Sequence, residues 1–284
     1  MRRIEQPGPP APARIVFAES HGLRFEMTLQ AGLPLLEAVR RSFAAAGFTS
    51  GVARIDGLGL GPFAYVMPAL SKTPKHAAFY SETFRPPGIA RVEAGALTFG
   101  LRDGVPFFHC HALWSEASGE RSGGHILPEE AIVAEEITLP AVGLDGAVFV
   151  AGPDPETNFK LFGPAHVPPL GTTRDGRFHA LRVRPNVDLA TALEAFCAER
   201  GIRRATIHGG VGSTIGVRFT DGRRVENFAT EVAITSGLIA DEGEGVQAQI
   251  DVALVDFTGA MASGRLTRGD NPVLMTFELV LEVG

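Results

Sequence analysis

The sequence predicts an α+β protein made of two tandem copies of one unit, each a mostly antiparallel β-sheet with one main helix. Three observations lead there. An alternating strand runs into an amphipathic helix twice, each helix is followed by a short strand and a glycine-rich bend, and most of the remainder alternates with period two between Gly, Asp-Gly and Asn-Pro turn signals. At 284 residues, 45% of them hydrophobic, the chain can bury a sizeable core, as one large unit or two medium ones.

The elements follow in order. Residues 1–14, rich in Pro and Ala, read as a disordered or extended leader. The first copy, 15–150, opens with His21-Gly22 and the alternating Phe25, Met27 and Leu29. Its helix places Leu35, Leu36, Val39 and Phe43 on one face and stops at Gly47, and Pro34 fits the start, where a missing N–H costs little. The second copy, 174–284, repeats the pattern with Asp175-Gly176, then Leu181 and Val183, then a helix carrying Leu189, Leu193 and Phe196 on one face and ending at Gly201. Bends of Gly57-Leu58-Gly59-Leu60-Gly61 and Gly209-Gly210-Val211-Gly212-Ser213 come next, and later strands align 94–98 with 236–239 and 134–139 with 276–281. The first copy alone carries a proline-rich stretch over 67–87. Residues 151–173 hold Pro153, Pro155, Pro164, Pro168 and Pro169 without periodicity and read as a linker or extended arm.

Chemistry concentrates in one hairpin. Phe107-Phe108-His109-Cys110-His111-Ala112-Leu113-Trp114 and Ser122-Gly123-Gly124-His125-Ile126-Leu127 read as two strands around a polar turn. On a strand, residues two apart share a face, so His109 and His111 point one way and Cys110 the other. A three-residue loop of Ala117-Ser118-Gly119 sets His111 opposite His125, with Cβ atoms roughly 4.5–5.5 Å apart. Three imidazoles can then converge and leave one side open, as in catalytic zinc sites, whereas a two-residue loop breaks the opposition. Imidazole donors suit Zn, Fe, Ni or Cu, so a divalent transition metal is expected at His109, His111 and His125, zinc foremost. The alternative is three half-exposed strand histidines bonded to their neighbours. Glu116, Glu136 and Asp56 are the candidate acid–base or ligand-orienting carboxylates, with surface or core-edge roles as the alternative. Where the first copy has His109, His111 and His125, the second has Gln249, Asp251 and Arg265, a set suited to a buried ion pair or hydrogen-bond network. The first copy therefore carries the chemistry, and the second braces it or completes its pocket.

Charge and composition exclude several classes. With 26 Lys+Arg against 32 Asp+Glu, the net charge of −6 argues against a surface built for phosphate backbone. Two cysteines are too few for a four-thiolate zinc site or a disulfide scaffold and fit a reduced compartment. No apolar run is long enough for a bilayer, so no membrane attachment and a cytoplasmic location are expected. The first glycine bend runs into Pro62 and the apolar Phe63-Ala64-Tyr65-Val66, not into an amphipathic helix, and so is no phosphate cradle.

His109-x-His111, the hairpin, Gly123-Gly124-His125 and then Ala134-Glu135-Glu136 resemble the PPC domain, named for plants and prokaryotes; Gly209-Gly210-Val211-Gly212-Ser213 resembles the same family's glycine-serine turn. The two copies cover nearly the whole chain outside leader and linker. The resemblance implies α+β domains, a homo-oligomer that is commonly a trimer, and histidines able to hold a metal ion. Plant relatives join the domain to an AT-hook, hence a frequent DNA-binding label, but no Arg-Gly-Arg-Pro run occurs here and direct nucleic-acid contact is not expected. The reading is a metal-binding protein with a small-molecule ligand, a candidate hydrolase or lyase. Its alternative is a DNA-associated regulatory or oligomeric assembly module with structural histidines.

Overall fold

The computed structural model describes residues 1–170 and 176–284. The first copy comprises β1 (Ile15–Leu29), α1 (Leu35–Ala45), β2 (Gly51–Arg54), β3 (Gly59–Leu60), β4 (Tyr65–Val66), a separate ribbon of β5 (Pro68–Leu70) and β6 (Ala78–Tyr80), β7 (Ala90–Arg102), β8 (Val105–Ser115), β9 (Arg121–Ile126) and β10 (Ile137–Asp145). After β11 (Ala147–Pro153) and β12 (Lys160–His166), the second copy comprises β13 (Gly176–Val183), α2 (Leu189–Glu199), β14 (Arg204–Arg218), β15 (Arg224–Asp241), β16 (Val246–Asp256), β17 (Met261–Arg265) and β18 (Val273–Val283). The fold is α+β with two tandem copies, as the sequence predicts.

Both copies order their strands the same way. One reads β1-β10-β2-β7-β8-β9 and the other β13-β18-β14-β15-β16-β17, and β1 joins β13 antiparallel from Ile15 opposite Val183 to Gly22 opposite Gly176, giving one continuous sheet. That sheet folds over so that its two halves pack face to face. Ala96 packs with Val211 and Ala233, and Leu113 with Ala253 and Val255, which lays β14 to β16 of the second copy against β7 and β8 of the first. The glycine bend makes the approach possible: a Cβ on Gly209 would lie 2.5 Å from Val52 Cβ across the copies.

Strand pairing also corrects the repeat alignment. Leu29 faces Ile137 as Val183 faces Phe277, and Ala96 faces His111 as Ser236 faces Asp251. The counterpart of Glu278 is therefore Thr138, two residues from the Glu136 matched by pattern, and that of Ser236 is Ala96. Because side chains alternate with period two, an apolar pattern survives a slip of two residues unchanged.

The helices bury the faces their spacing predicts. Leu35, Ala38, Val39 and Phe43 of α1 are buried over the first core with Trp114 and Phe108, and Leu189, Leu193 and Phe196 of α2 over the second. Gly47 and Gly201 follow them at φ of 77° and 64°, a conformation that favours glycine. Asp188 caps α2, accepting N–H bonds from Thr191 (2.9 Å), Gly269 (3.1 Å) and Asn271 (2.7 Å). Asp188→Ala is expected to cost about 2–3 kcal/mol, more than an ordinary cap, because it also strips two N–H groups outside the helix. Urea unfolding should show a lower midpoint at an unchanged slope.

Two expectations are corrected. Residues 1–14 are ordered chain laid over the second copy and β11–β12. Arg2 donates from Nε to Ile215 O (2.6 Å), Ile4 N–H to Asn186 Oδ1 (2.9 Å), Gln6 Nε2 to Leu274 O (2.7 Å), and Arg14 pairs with Glu156 at 2.7 Å. A proline-rich segment cannot form its own ladder, but several of the donors it keeps, the N–H groups of Ile4, Gly8 and Ala11 among them, are met by carbonyls and side chains already on that surface. Residues 151–166 likewise belong to the β11–β12 hairpin. Pro164 faces Phe149 there, and β12 pairs only with β11 among the described residues, so the missing N–H interrupts no ladder. Residues 171–173 of the expected linker and 174–175 of the expected second-copy start lie outside the described residues. No helix among those described is long and apolar enough to cross a membrane.

Candidate metal centre

The β8–β9 hairpin has the three-residue loop, closed by Glu116 N–H donating to Glu120 O at 2.7 Å, and His111 stands opposite His125. Cys110 points into the first core beside Ala112 and Trp114, so His109 and His111 share the other face. β4 lies along the outer edge of β9 with Val66 opposite His125, and a Cβ on Gly124 would sit 2.4 Å from Val66 O, so the glycine allows that contact. The ring centroids stand 4.5 Å (His109–His111), 5.1 Å (His109–His125) and 5.4 Å (His111–His125) apart.

The second copy supplies what the sequence reading did not find. β15 brings Glu231, whose carboxylate meets His111 Nε2, and β18 brings Glu278, whose Oε2 lies 2.6 Å from His109 Nδ1. One ligating atom from each of His109, His111, His125 and Glu231 lies within 4.8 Å of the others, a group that can hold a metal ion. Tetrahedral bonds of about 2.0–2.2 Å place donors roughly 3.3–3.6 Å apart, so the set needs only small adjustments. The sequence did hold a signal: Glu231 and Glu278 each interrupt an otherwise apolar run, and an acid on a buried strand face needs a partner.

Hydrogen accounting shows that a cation fits. His111 Nδ1 lies 3.1 Å from Val232 O, which can only accept, so that nitrogen carries the hydrogen and Nε2 is left with its lone pair. Yet Nε2 meets both the Glu231 carboxylate and His109 Nε2, the latter at 2.9 Å. A single proton on His111 Nε2 cannot serve both. His125 Nδ1 is buried with no hydrogen-bond partner at all. A positive ion among these atoms satisfies them together.

The orienting chain behind His109 is long. Asp154 Oδ2 accepts from Arg182 Nη2 (2.7 Å), Arg182 Nε donates to Thr276 Oγ1 (3.1 Å), Thr276 Oγ1 donates to Glu278 Oε1 (3.3 Å), and Glu278 holds His109. Such outer partners fix the tautomer of a ligating ring.

Without an ion the cluster is electrostatically poised. Burial, aided by the charge at His111, drives His109 down to about 3, and burial with its two histidine neighbours takes His125 well below the ordinary value. Burial opposes protonation of His111 too, but Glu231 and the Val232 carbonyl outweigh it and raise that ring. Burial pushes Glu278 up to about 8. His109 and His125 are thus less basic folded than unfolded, so the stability they contribute is present above about pH 6.5 and lost as pH falls below it; the contribution of the raised His111 is already complete there, and Glu278, raised to about 8 and so gaining stability as pH falls, offsets one of the two. The urea midpoint of the metal-free protein is expected to fall between about pH 6.5 and pH 5.

Two cavities meet at His109. A pocket of about 50 Å³, room for a water or two, is bounded by His109, His111, Glu231, Ser213 and Thr230. A larger one of about 360 Å³ opens on His109 and His125, and Tyr80 from the first copy's ribbon stands between them, lining both. Neither cavity is lined by the carboxylates expected to act. Glu116 accepts from Ser122 Oγ (2.6 Å) near the hairpin turn, Asp56 is bound to Arg54 and to Gly95 N–H, and Glu136 is exposed. The expected second-copy network exists but is exposed: Arg265 holds Asp251 at 2.9 Å and Gln249 at 3.2 Å, with 47% of the Arg265 side chain accessible.

Residues 171–283 match the Plants and Prokaryotes Conserved (PCC) domain, also written PPC. The second copy carries this match. The first copy repeats its strand order and differs from it in carrying the three histidines. The chain matches no curated protein. Among solved structures, it is similar to a metal-containing protein from Archaeoglobus fulgidus, at 19% identity over 52% of this chain and 97% of that one, with a TM-score of 0.40. It is also similar to a plant- and prokaryote-conserved (PPC) protein from Pyrococcus horikoshii, at 17% identity over 52% and 96%, with a TM-score of 0.39.

Proposed function

We propose that the chain binds one divalent transition metal ion, zinc foremost, through His109, His111, His125 and Glu231, beside a pocket for a small molecule, and acts as a metal-dependent hydrolase or lyase. One observation carries this: His111 Nε2, whose partner nitrogen is committed to Val232 O, faces both the Glu231 carboxylate and His109 Nε2. Three imidazoles and one carboxylate suit zinc and its neighbours in the series. When bound, such an ion polarises a carbonyl or lowers the pKa of water. The chain's own residues do the rest. Glu278 and Val232 O fix which nitrogens face inward, Glu231 supplies a negative donor, and Tyr80, whose raised pKa keeps the phenol neutral, lines both cavities and can donate a hydrogen bond to a ligand.

Elemental analysis of the purified protein beside His111→Ala tests the reading. The wild type should carry about one ion per chain and the variant none. An empty wild type, or equal metal in both, removes it. Titration with duplex DNA at two salt concentrations should show no salt-dependent binding; such binding would favour the DNA-associated assembly role instead.

A further inference from the structure

We infer that the larger cavity takes a small monocarboxylate with an apolar body, its acid group on the guanidinium of Arg102 and its other, polar end at His109 and His125. Only the second of these contacts rests on the metal reading.

The volume of about 360 Å³ is that of a small-molecule site, and it is bounded in part by the β11–β12 hairpin between the copies. Phe107, Phe162, Leu127 and Leu161 give it apolar walls, the two phenylalanine rings standing 6.1 Å apart between centroids. Such walls receive a flat or branched hydrocarbon and leave any charged group to the polar residues.

Those polar residues are mostly occupied. Lys160 Nζ is held by both oxygens of Asp103 at 2.7 and 2.9 Å, Glu130 by Arg85, and Glu278 by His109. Arg102 differs. Among the described residues it has no carboxylate or carbonyl partner, and it lies over the Phe107 ring, 5.0 Å from the centroid. An arginine stacked on a ring keeps its plane fixed and its edge N–H groups free, the arrangement that pairs with a carboxylate through two parallel hydrogen bonds. Arg102, His109 and His125 all line this cavity, so the cation and the histidines face the same space. Among the described residues Glu129, on the same lining, has no ion-pair partner, so it repels a second acid group and limits the ligand to one.

Calorimetric titration with phenylpyruvate, and with phenylacetone as its neutral counterpart, decides the matter in wild type, Arg102→Gln and Arg102→Lys, each as purified and after zinc loading. Arg102 is exposed at the end of β7, so its variants should melt with the wild type. Phenylpyruvate should bind Arg102→Gln at least about tenfold more weakly than wild type, Arg102→Lys should fall between, and phenylacetone should bind all three alike. Equal phenylpyruvate affinity in wild type and Arg102→Gln, phenylacetone binding as tightly as phenylpyruvate, or no phenylpyruvate binding overturns the inference. If elemental analysis finds no ion while the Arg102 dependence holds, the metal reading falls and this one stands. Metal without Arg102 dependence gives the reverse.

Discussion

Treating the metal-loaded protein with a chelator should lower its unfolding midpoint by on the order of 10 °C and leave that of His111→Ala unchanged. The size follows from mass action. An ion present at about a thousand times its dissociation constant stabilises the native state by about 4 kcal/mol, and in a chain of this length each kcal/mol moves the midpoint by about 2–4 °C. The ligands make the effect global. His109, His111 and His125 stand on the first copy and Glu231 on the second, so an ion held by them would tie β8 and β9 to β15 across the contact between copies. Scanning calorimetry with and without chelator checks this. An unchanged wild-type midpoint would mean that no ion is held at these four residues.

Asp154→Ala should cost about 3–5 kcal/mol, the loss expected when a buried charge is left without its counterion. Asp154 is 1% exposed in its side chain and accepts from Arg182 and Arg184, both at 2.7 Å, and from Thr157 N–H at 3.0 Å. Arg182 is itself only 6% exposed, so water cannot replace the lost partner. The consequence extends to the histidines, since Arg182 bonds Thr276, which orients Glu278 on His109. Metal affinity should therefore fall about 10- to 100-fold in a variant that is still folded. Urea unfolding measures the first effect and competition with a chromophoric chelator the second. Asp154→Asn, which keeps the shape and the Thr157 bond, should lose less stability.

Much of this was legible in the sequence because it depends on local rules. Period-two alternation and the Ala117-Ser118-Gly119 loop are enough to place His111 opposite His125, and the spacing from Leu35 to Phe43 is enough to bury one helix face. What failed depends on long-range contact. Glu231 and Glu278 reach the histidines only because β15 and β18 close over β8, a packing no local pattern encodes. Glu116 and Glu136 lie near the hairpin in sequence and Asp56 in the first glycine bend, and neither position carries a side chain into cavities lined in part by the other copy. The order of the leader is hidden for the same reason: Arg2, Ile4 and Gln6 are tied to residues far along the chain, while composition reports only what a segment can do alone.

The histidine hairpin should resist transplantation. Moved onto another scaffold, residues 105–127 would bring three donors but leave behind the fourth, and with it the carbonyl of Val232 and the acid of Glu278 that decide which nitrogen each ring offers. A graft intended to keep this chemistry must carry β15 and β18 as well, which makes the smallest portable unit a large part of both halves of the protein.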